Sequence, residues 1–310
     1  MTALFEQTLI LFIFIAVGFG LARAKIVHSE HAKILSELLM YVFLTCSCVS
    51  TFSSNFTVEY ITEKYPLIIA SAILIVVVGV VMHFVAKPFS QKPYERAIYE
   101  YSLVMPNYGG VGYPIVMGIF GSVGLTDFMV FVLPIAVYTY TYGYCSLTKR
   151  SLSFKNLFSM KTLLMLANPI MISMLFGMVM GITGLTLPGF LDSAVNSASG
   201  CLAPVAMLVV GITISDFNIK KLLSNKRAYI VTAMRLVIQP VVIGGIMWLC
   251  GIRGDILMYT VIFLALPCGM NTVTLPRLFD ENCEIGASMA LISNILACVT
   301  MPLVLTLFGI

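Results

Sequence analysis

"VMPNYGGVGYPIVMGIFG" (Val104–Gly121) holds two prolines, Pro106 and Pro114, together with five glycines and Asn107. It lies inside an uncharged run from Tyr101 to Thr126, long enough to cross a bilayer. Proline removes a backbone donor and clashes with the carbonyl four residues back. Glycine is a poor helix residue because it has more backbone freedom to lose. In hydrocarbon, each freed N–H or C=O left unpaired costs several kcal/mol. A span punctuated in this way is tolerated only where its broken backbone meets protein, water or a ligand.

The rest of the chain agrees with a membrane setting. Its 310 residues are 59% hydrophobic and 10% charged, with a mean hydropathy of +1.00. A soluble domain carries about 25% charge. Charges cut the sequence into ten apolar pieces: Gln7–Ala22, Leu38–Val58, Tyr65–Ala86, Tyr101–Thr126, Phe128–Thr148, Thr162–Leu191, Ser193–Ser215, Ala228–Ile252, Ile256–Pro276 and Ile285–Ile310. Only the eighth has an internal charge, Arg235. The first piece lacks a basic leader and a small-residue cleavage site, so it reads as a span rather than a signal peptide. The eight cysteines show no metal-ligand spacing and read as small core residues. No cofactor is expected.

Lysine and arginine set the orientation. The odd-numbered connections hold fifteen of the 18 basic residues and the even-numbered ones hold Lys64 and Arg253. The odd connections are therefore expected in the cytoplasm of a plasma (inner) membrane protein, with both termini outside. Ten spans divide as five plus five, and five is odd, so any internal repeat must be inverted. The fourth and ninth spans match. Pro106, Pro114 and Gly124 in one correspond to Pro267, Pro276 and Gly286 in the other, each with an asparagine between the prolines, Asn107 or Asn271. Matched interruptions in two halves point to a transporter binding site. The bland alternative is a pair of ordinary proline kinks. The division is 1–147 and 162–310 for the two five-helix repeats, with a cytoplasmic loop at 148–161 in a single membrane domain.

"NYGGVGYP" (Asn107–Pro114) resembles the crossover motif of the auxin efflux carrier family, membrane transport proteins that include bacterial malate and malonate permease-like members. Further resemblances run along the chain: "VGFGLARAKIV" in the first span, "ANPIM" and "LPGFL" about the sixth, and "LAPVAMLVVGITIS" in the seventh. "MRLVIQPVV" resembles the eighth span, "LPCGMNTVTLPRLFD" the ninth and "ASMALISNILACVTMPLVLTL" the tenth. The resemblance implies an all-α integral membrane fold of ten transmembrane helices, arranged as two inverted five-helix repeats with broken, crossing helices 4 and 9. It also implies a support domain, a transport domain that moves like an elevator, and a homodimer. Two departures stand out. Thr45 and Cys46 replace a frequent proline, and the long cytoplasmic loop of plant members is missing.

The candidate substrate residues are Pro106, Asn107, Tyr108, Gly109, Gly112 and Pro114 in the fourth span and Pro267, Gly269, Asn271 and Pro276 in the ninth. Half-helix N-termini attract anions and free carbonyls attract cations. Thr272 and Thr274 are candidates for Na⁺ coupling. In "VYTYTYGY", Tyr138 and Tyr142 share a helical face, as a substrate lining or as part of an aromatic belt. Arg235 has three readings: snorkelling to the cytoplasm, a counter-charge beside an anion, or a partner of helix-end carbonyls. No Asp or Glu falls near the middle of a span by this division, so a midplane carboxylate proton relay is not expected. The expected function is a secondary transporter of a small organic anion, a mono- or dicarboxylate such as malate, malonate or an auxin-like acid. Its partners are that anion and the lipid bilayer, with no nucleic acid. The alternatives are a sodium-coupled bile-acid-like symporter and a sensor or channel on the same fold. An enzyme is disfavoured, because no nucleophile–base pair or metal motif is visible.

Overall fold

The computed structural model describes residues 2–148, 168–216, 224–278 and 283–310. The expected loop at 148–161 falls almost wholly outside the described residues. The architecture is all-helical, and among the described residues the only β-type pairing is one isolated bridge. Among the described residues, six helices are long and apolar enough to cross a membrane, and shorter apolar helices accompany them.

Helix α1 spans Thr2–Arg23. Helices α2 (Ser29–Leu38) and α3 (Leu44–Asn55) are joined by a π-turn, Leu39–Phe43. Helix α4 is Val58–Val85, capped by Thr57 Oγ1 on Tyr60 N. Helix α5 (Pro93–Val104) starts with proline in its first turn, where no helical N–H is needed. A π-turn, Tyr108–Gly112, leads into α6 (Tyr113–Tyr138), and another, Thr139–Gly143, continues it to α7 (Tyr144–Leu147). Helices α8 (Pro169–Thr183), α9 (Gly189–Gly200) and α10 (Leu202–Asp216) follow. Then come α11 (Lys226–Ala233), a π-turn (Met234–Ile238) and α12 (Gln239–Leu249). Helices α13 (Asp255–Ala265), α14 (Asn271–Leu278) and α15 (Glu284–Leu307) complete the chain.

Two of the π-turns have a cause in the sequence. Pro114 and Pro240 each stand two residues beyond a π-turn. Each lacks an N–H and would press on the carbonyl four residues back. Widening the preceding turn relieves that clash.

The boundaries of the fourth and fifth spans differ from the division by charge. The uncharged run from Tyr101 to Thr126 is not one element. Its helix begins at Pro93, breaks at Met105–Asn107, and turns at Gly121, whose φ of 68° is left-handed. Glycine takes that conformation at no steric cost. The next helix therefore starts before Asp127 rather than after it, and a residue read as part of a connection becomes interior. Likewise α4 begins seven residues ahead of Tyr65 and carries Lys64 inward.

Helix α1 packs along α10, and α8 along α3. Both contacts use glycine. A Cβ on Gly18 would stand 2.3 Å from Leu208 O, and one on Gly211 would stand 2.1 Å from Ile15 O. One on Gly181 would meet Phe56 O at 2.4 Å. Backbones this close leave no room for a methyl. Gly211→Ala should destabilise the protein by about 1–3 kcal/mol through overpacking. The check is a thermal melt of the purified variant, and an unchanged melt would show that α1 and α10 do not touch there.

Candidate functional site

The two breaks meet. Pro106 and Cys268 form an antiparallel bridge. Asn107 N donates to Pro267 O at 2.8 Å, and Gly269 N donates to Met105 O at 3.0 Å. The unwound backbone of each segment thus satisfies part of the other's hydrogen-bonding need, which an isolated break in hydrocarbon could not do. Gly269 sits at the closest approach, where a Cβ would be 3.1 Å from Met105 O.

Four half-helix ends result. The C-terminal ends of α5 and α13 converge on Arg235, which is 0% exposed. Its Nη1 donates to Leu103 O at 2.8 Å and to Val104 O at 3.2 Å. Its Nη2 donates to Phe263 O at 2.9 Å, and Nε reaches Leu266 O at 3.4 Å. The guanidinium therefore caps two helices at once, at the negative ends of their dipoles. Gln239, one turn later, joins through Oε1 to Nη1 and through Nε2 to Leu103 O at 3.0 Å. Phe263 lies under the cation, 5.4 Å from ring centroid to Cζ. Of the three readings of Arg235, burial removes snorkelling. The hydrogen bonds are those of a partner of helix-end carbonyls, and Arg235 does not line the cavity.

The other two ends, the start of the Tyr108–Gly112 turn and the start of α14, border a cavity of about 390 Å³. Pro106, Asn107, Tyr108, Gly109, Gly269, Asn271 and Thr274 line it. Gly112, Pro114, Pro276, Thr272, Tyr138 and Tyr142 are not on its lining, and Pro267 faces a small void behind the crossing. Asn107 Oδ1 accepts from Gly110 N at 3.1 Å, which leaves Nδ2 as the group it can offer. Asn271 Nδ2 donates one of its two N–H groups to Tyr101 Oη at 2.8 Å, which leaves the second to offer. Thr272 Oγ1 donates to Gly269 O at 2.9 Å and is fully buried. Among the described lining residues there is no charged side chain.

Sequence reasoning missed several lining residues. Tyr140 faces the cavity, while Tyr138 and Tyr142 pack on each other at 5.0 Å on the opposite side of the helix. Tyr142 Oη donates to Glu100 Oε1 at 2.8 Å. Asn168 and Asn294 add two more amides. Asn294 carried a usable signal, because an asparagine inside an apolar span is costly unless it has work to do. Asn168 caps α8 through Met171 N, a role visible in Asn-Pro.

Two carboxylates that the division by charge leaves in a connection or at a span end, Asp127 and Glu100, are buried among the helices. Asp127 is 3% exposed and Glu100 is 6% exposed. Asp127 accepts from Tyr60 Oη at 2.7 Å and from Tyr259 Oη at 3.3 Å, and lies 3.2 Å from Lys64 Nζ. Lys64 also bonds Asp255. The turn at Gly121 and the early start of α5 account for both cases.

A multi-pass helical membrane protein with two broken segments crossing beside an amide-lined cavity has the build of a solute carrier. This chain belongs to the membrane transport protein family, whose profile matches residues 3–305, in keeping with its resemblance to the auxin efflux carriers. An uncharacterized transporter of Methanocaldococcus jannaschii is 24% identical over 303 residues, covering 96% of each chain. An uncharacterized transporter of Methanothermobacter thermautotrophicus is 27% identical over 209 residues, 64% of each chain.

Proposed function

We propose that the protein is a secondary transporter that carries a small organic anion, a mono- or dicarboxylate, across the plasma membrane by elevator-type alternating access. The observation that carries this reading is the cavity at the crossing, with Asn107, Asn271, Asn168 and Asn294 on its wall and no charged side chain among its described lining residues. Neutral amides and half-helix N-termini hold a carboxylate without the deep trap of a buried ion pair. A carrier needs such a site, because its substrate must also leave.

The chain works as ten transmembrane helices in two inverted five-helix repeats. Supporting this, α1 packs on α10 and α8 packs on α3, which are equivalent pairs under the repeat. The helices α1, α2–α3, α8 and α9–α10 form the support side, and the crossing helices move against it. An adjoining cavity shares Ser36, Met40, Tyr140, Asn168 and Ile170 with the central one and adds Lys33 and Glu37 at its wall. Lys33 belongs to the first connection, which the distribution of basic residues assigns to the cytoplasm. The cavity thus opens inward, with both termini outside.

The test is flux into liposomes containing the purified protein, with malate, malonate, lactate and indole-3-acetate, with and without Na⁺ and pH gradients. Saturable uptake of at least one acid is expected. Ionic conductance without saturable uptake would favour a channel, and no flux of any of the four would overturn the carboxylate reading.

A further inference from the structure

We propose that Glu100 and His83 form a proton-exchanging site whose state is read by the central cavity, so that substrate movement is linked to protons. The coupling half of this proposal rests on the transporter reading above. His83 Nδ1 and Glu100 Oε2 are 2.9 Å apart. The Glu100 side chain is 8% exposed and that of His83 is 43% exposed. The histidine is therefore the side through which a proton reaches the carboxylate.

The surroundings distinguish this carboxylate from Asp127. Asp127 has a lysine, Lys64, whose charge is permanent near neutral pH. Among the described residues, the ion partner within 4 Å of Glu100 is a histidine, whose charge is conditional. From the elements packed about it, Glu100 meets His83 of α4, Tyr142 of the Thr139–Gly143 turn, and Tyr138 stacked on Tyr142. Arg96, one turn earlier on α5, lies on the Tyr142 side. Arg227 of α11 is turned toward Tyr99 and Glu95. Lys87 covers the Phe84 ring, and Arg235 is committed to four carbonyls. A buried carboxylate without a lasting counter-charge is costly.

Two short routes join the pair to the cavity. Glu100 is followed by Tyr101, whose hydroxyl accepts from Asn271 on the cavity wall. Tyr142 stands two residues after Tyr140, also on the wall, within one π-turn. Turns of this kind recur at functional sites. A change of charge on Glu100 alters its bond to Tyr142, and so the setting of Tyr140 and Tyr101.

The first measurement needs no substrate. The protein has three histidines. Isotope-labelled histidine in nanodisc-embedded protein gives their ring signals, and H83Q identifies that of His83. The expected result is a His83 signal that follows pH between about 5 and 8, with an altered course in E100Q. A signal flat over that range, or the same in E100Q, overturns the proposal. The second measurement follows pH with a dye inside proteoliposomes during uptake of radiolabelled malonate. Wild type should move protons in step with malonate, and E100Q should lower the ratio of protons to malonate roughly tenfold or more. Malonate movement with no proton signal, or an unchanged ratio in E100Q, overturns the coupling while leaving the carrier reading intact. If malonate and the other three acids are not carried, the carboxylate reading fails, and the proton site then stands or falls on the histidine signals.

Discussion

Arg235→Ala should cost the protein about 3–5 kcal/mol of stability, the range for breaking a buried charged cluster, and should abolish transport. Its guanidinium holds the carbonyls of Leu103, Val104, Phe263 and Leu266. Those groups end α5 and α13, and Asn107 and Gly269 lie just beyond them. Without the arginine the carbonyls of Val104, Phe263 and Leu266 lose its donors in a place water does not reach, while Leu103 O keeps Gln239 Nε2, and each group left unpaired there is expensive. Arg235→Met keeps much of the volume and should be nearly as damaging, which separates lost hydrogen bonds from lost packing. Arg235→Lys should fall between, because one ammonium cannot span two helix ends as a planar fork does. The readout is a melt followed by a thiol-reactive dye, since Cys48, Cys145 and Cys268 are buried thiols outside any disulfide. If Arg235→Met melted with wild type, the view of Arg235 as the tie between the broken helices would be wrong.

Lys64→Met should be the second severe substitution. Asp127 is then left buried beside two tyrosine hydroxyls with no cation. Removing one partner of a buried pair costs about 3–5 kcal/mol. The lower end applies here, because the Lys64 side chain retains 18% exposure and solvent screens part of its charge. Asp127→Asn placed on top of Lys64→Met removes the stranded charge and should recover most of the loss. A double variant no more stable than Lys64→Met alone would mean that packing, not charge, sets the effect.

Much of the crossing is legible in the residues, because its causes are residue types. Proline and glycine disrupt helices by their own chemistry, so Pro106, Pro267 and their neighbouring asparagines announce themselves in an apolar setting. The role of Arg235 is not legible in the same way. Its partners are backbone carbonyls, which carry no residue label, and they become available only because two other helices end beside it. Hydropathy also misplaces Asp127 and Glu100. It registers a charge as an interruption and is blind to the lysine or histidine that lets the charge be buried. The turn at Gly121 is hidden because no charge marks it. Tyr140 is passed over in favour of Tyr138 and Tyr142, because spacing identifies which residues share a face and not which face meets the cavity.

The role proposed for the amides gathered at the crossing is to bind the carried anion. It is tested most directly by saturable uptake in proteoliposomes of Asn107→Ala and Asn271→Ala, using whichever of malate, malonate, lactate or indole-3-acetate the wild type carries. Each substitution removes a hydrogen-bonding amide from the cavity wall. A bond to a charged group is worth about 1.5–3 kcal/mol, so each should lower uptake at subsaturating substrate roughly tenfold or more. The effect should appear in the concentration for half-maximal uptake before it appears in the amount of folded protein. Uptake with unchanged half-saturation and unchanged maximum in both variants would contradict the claim.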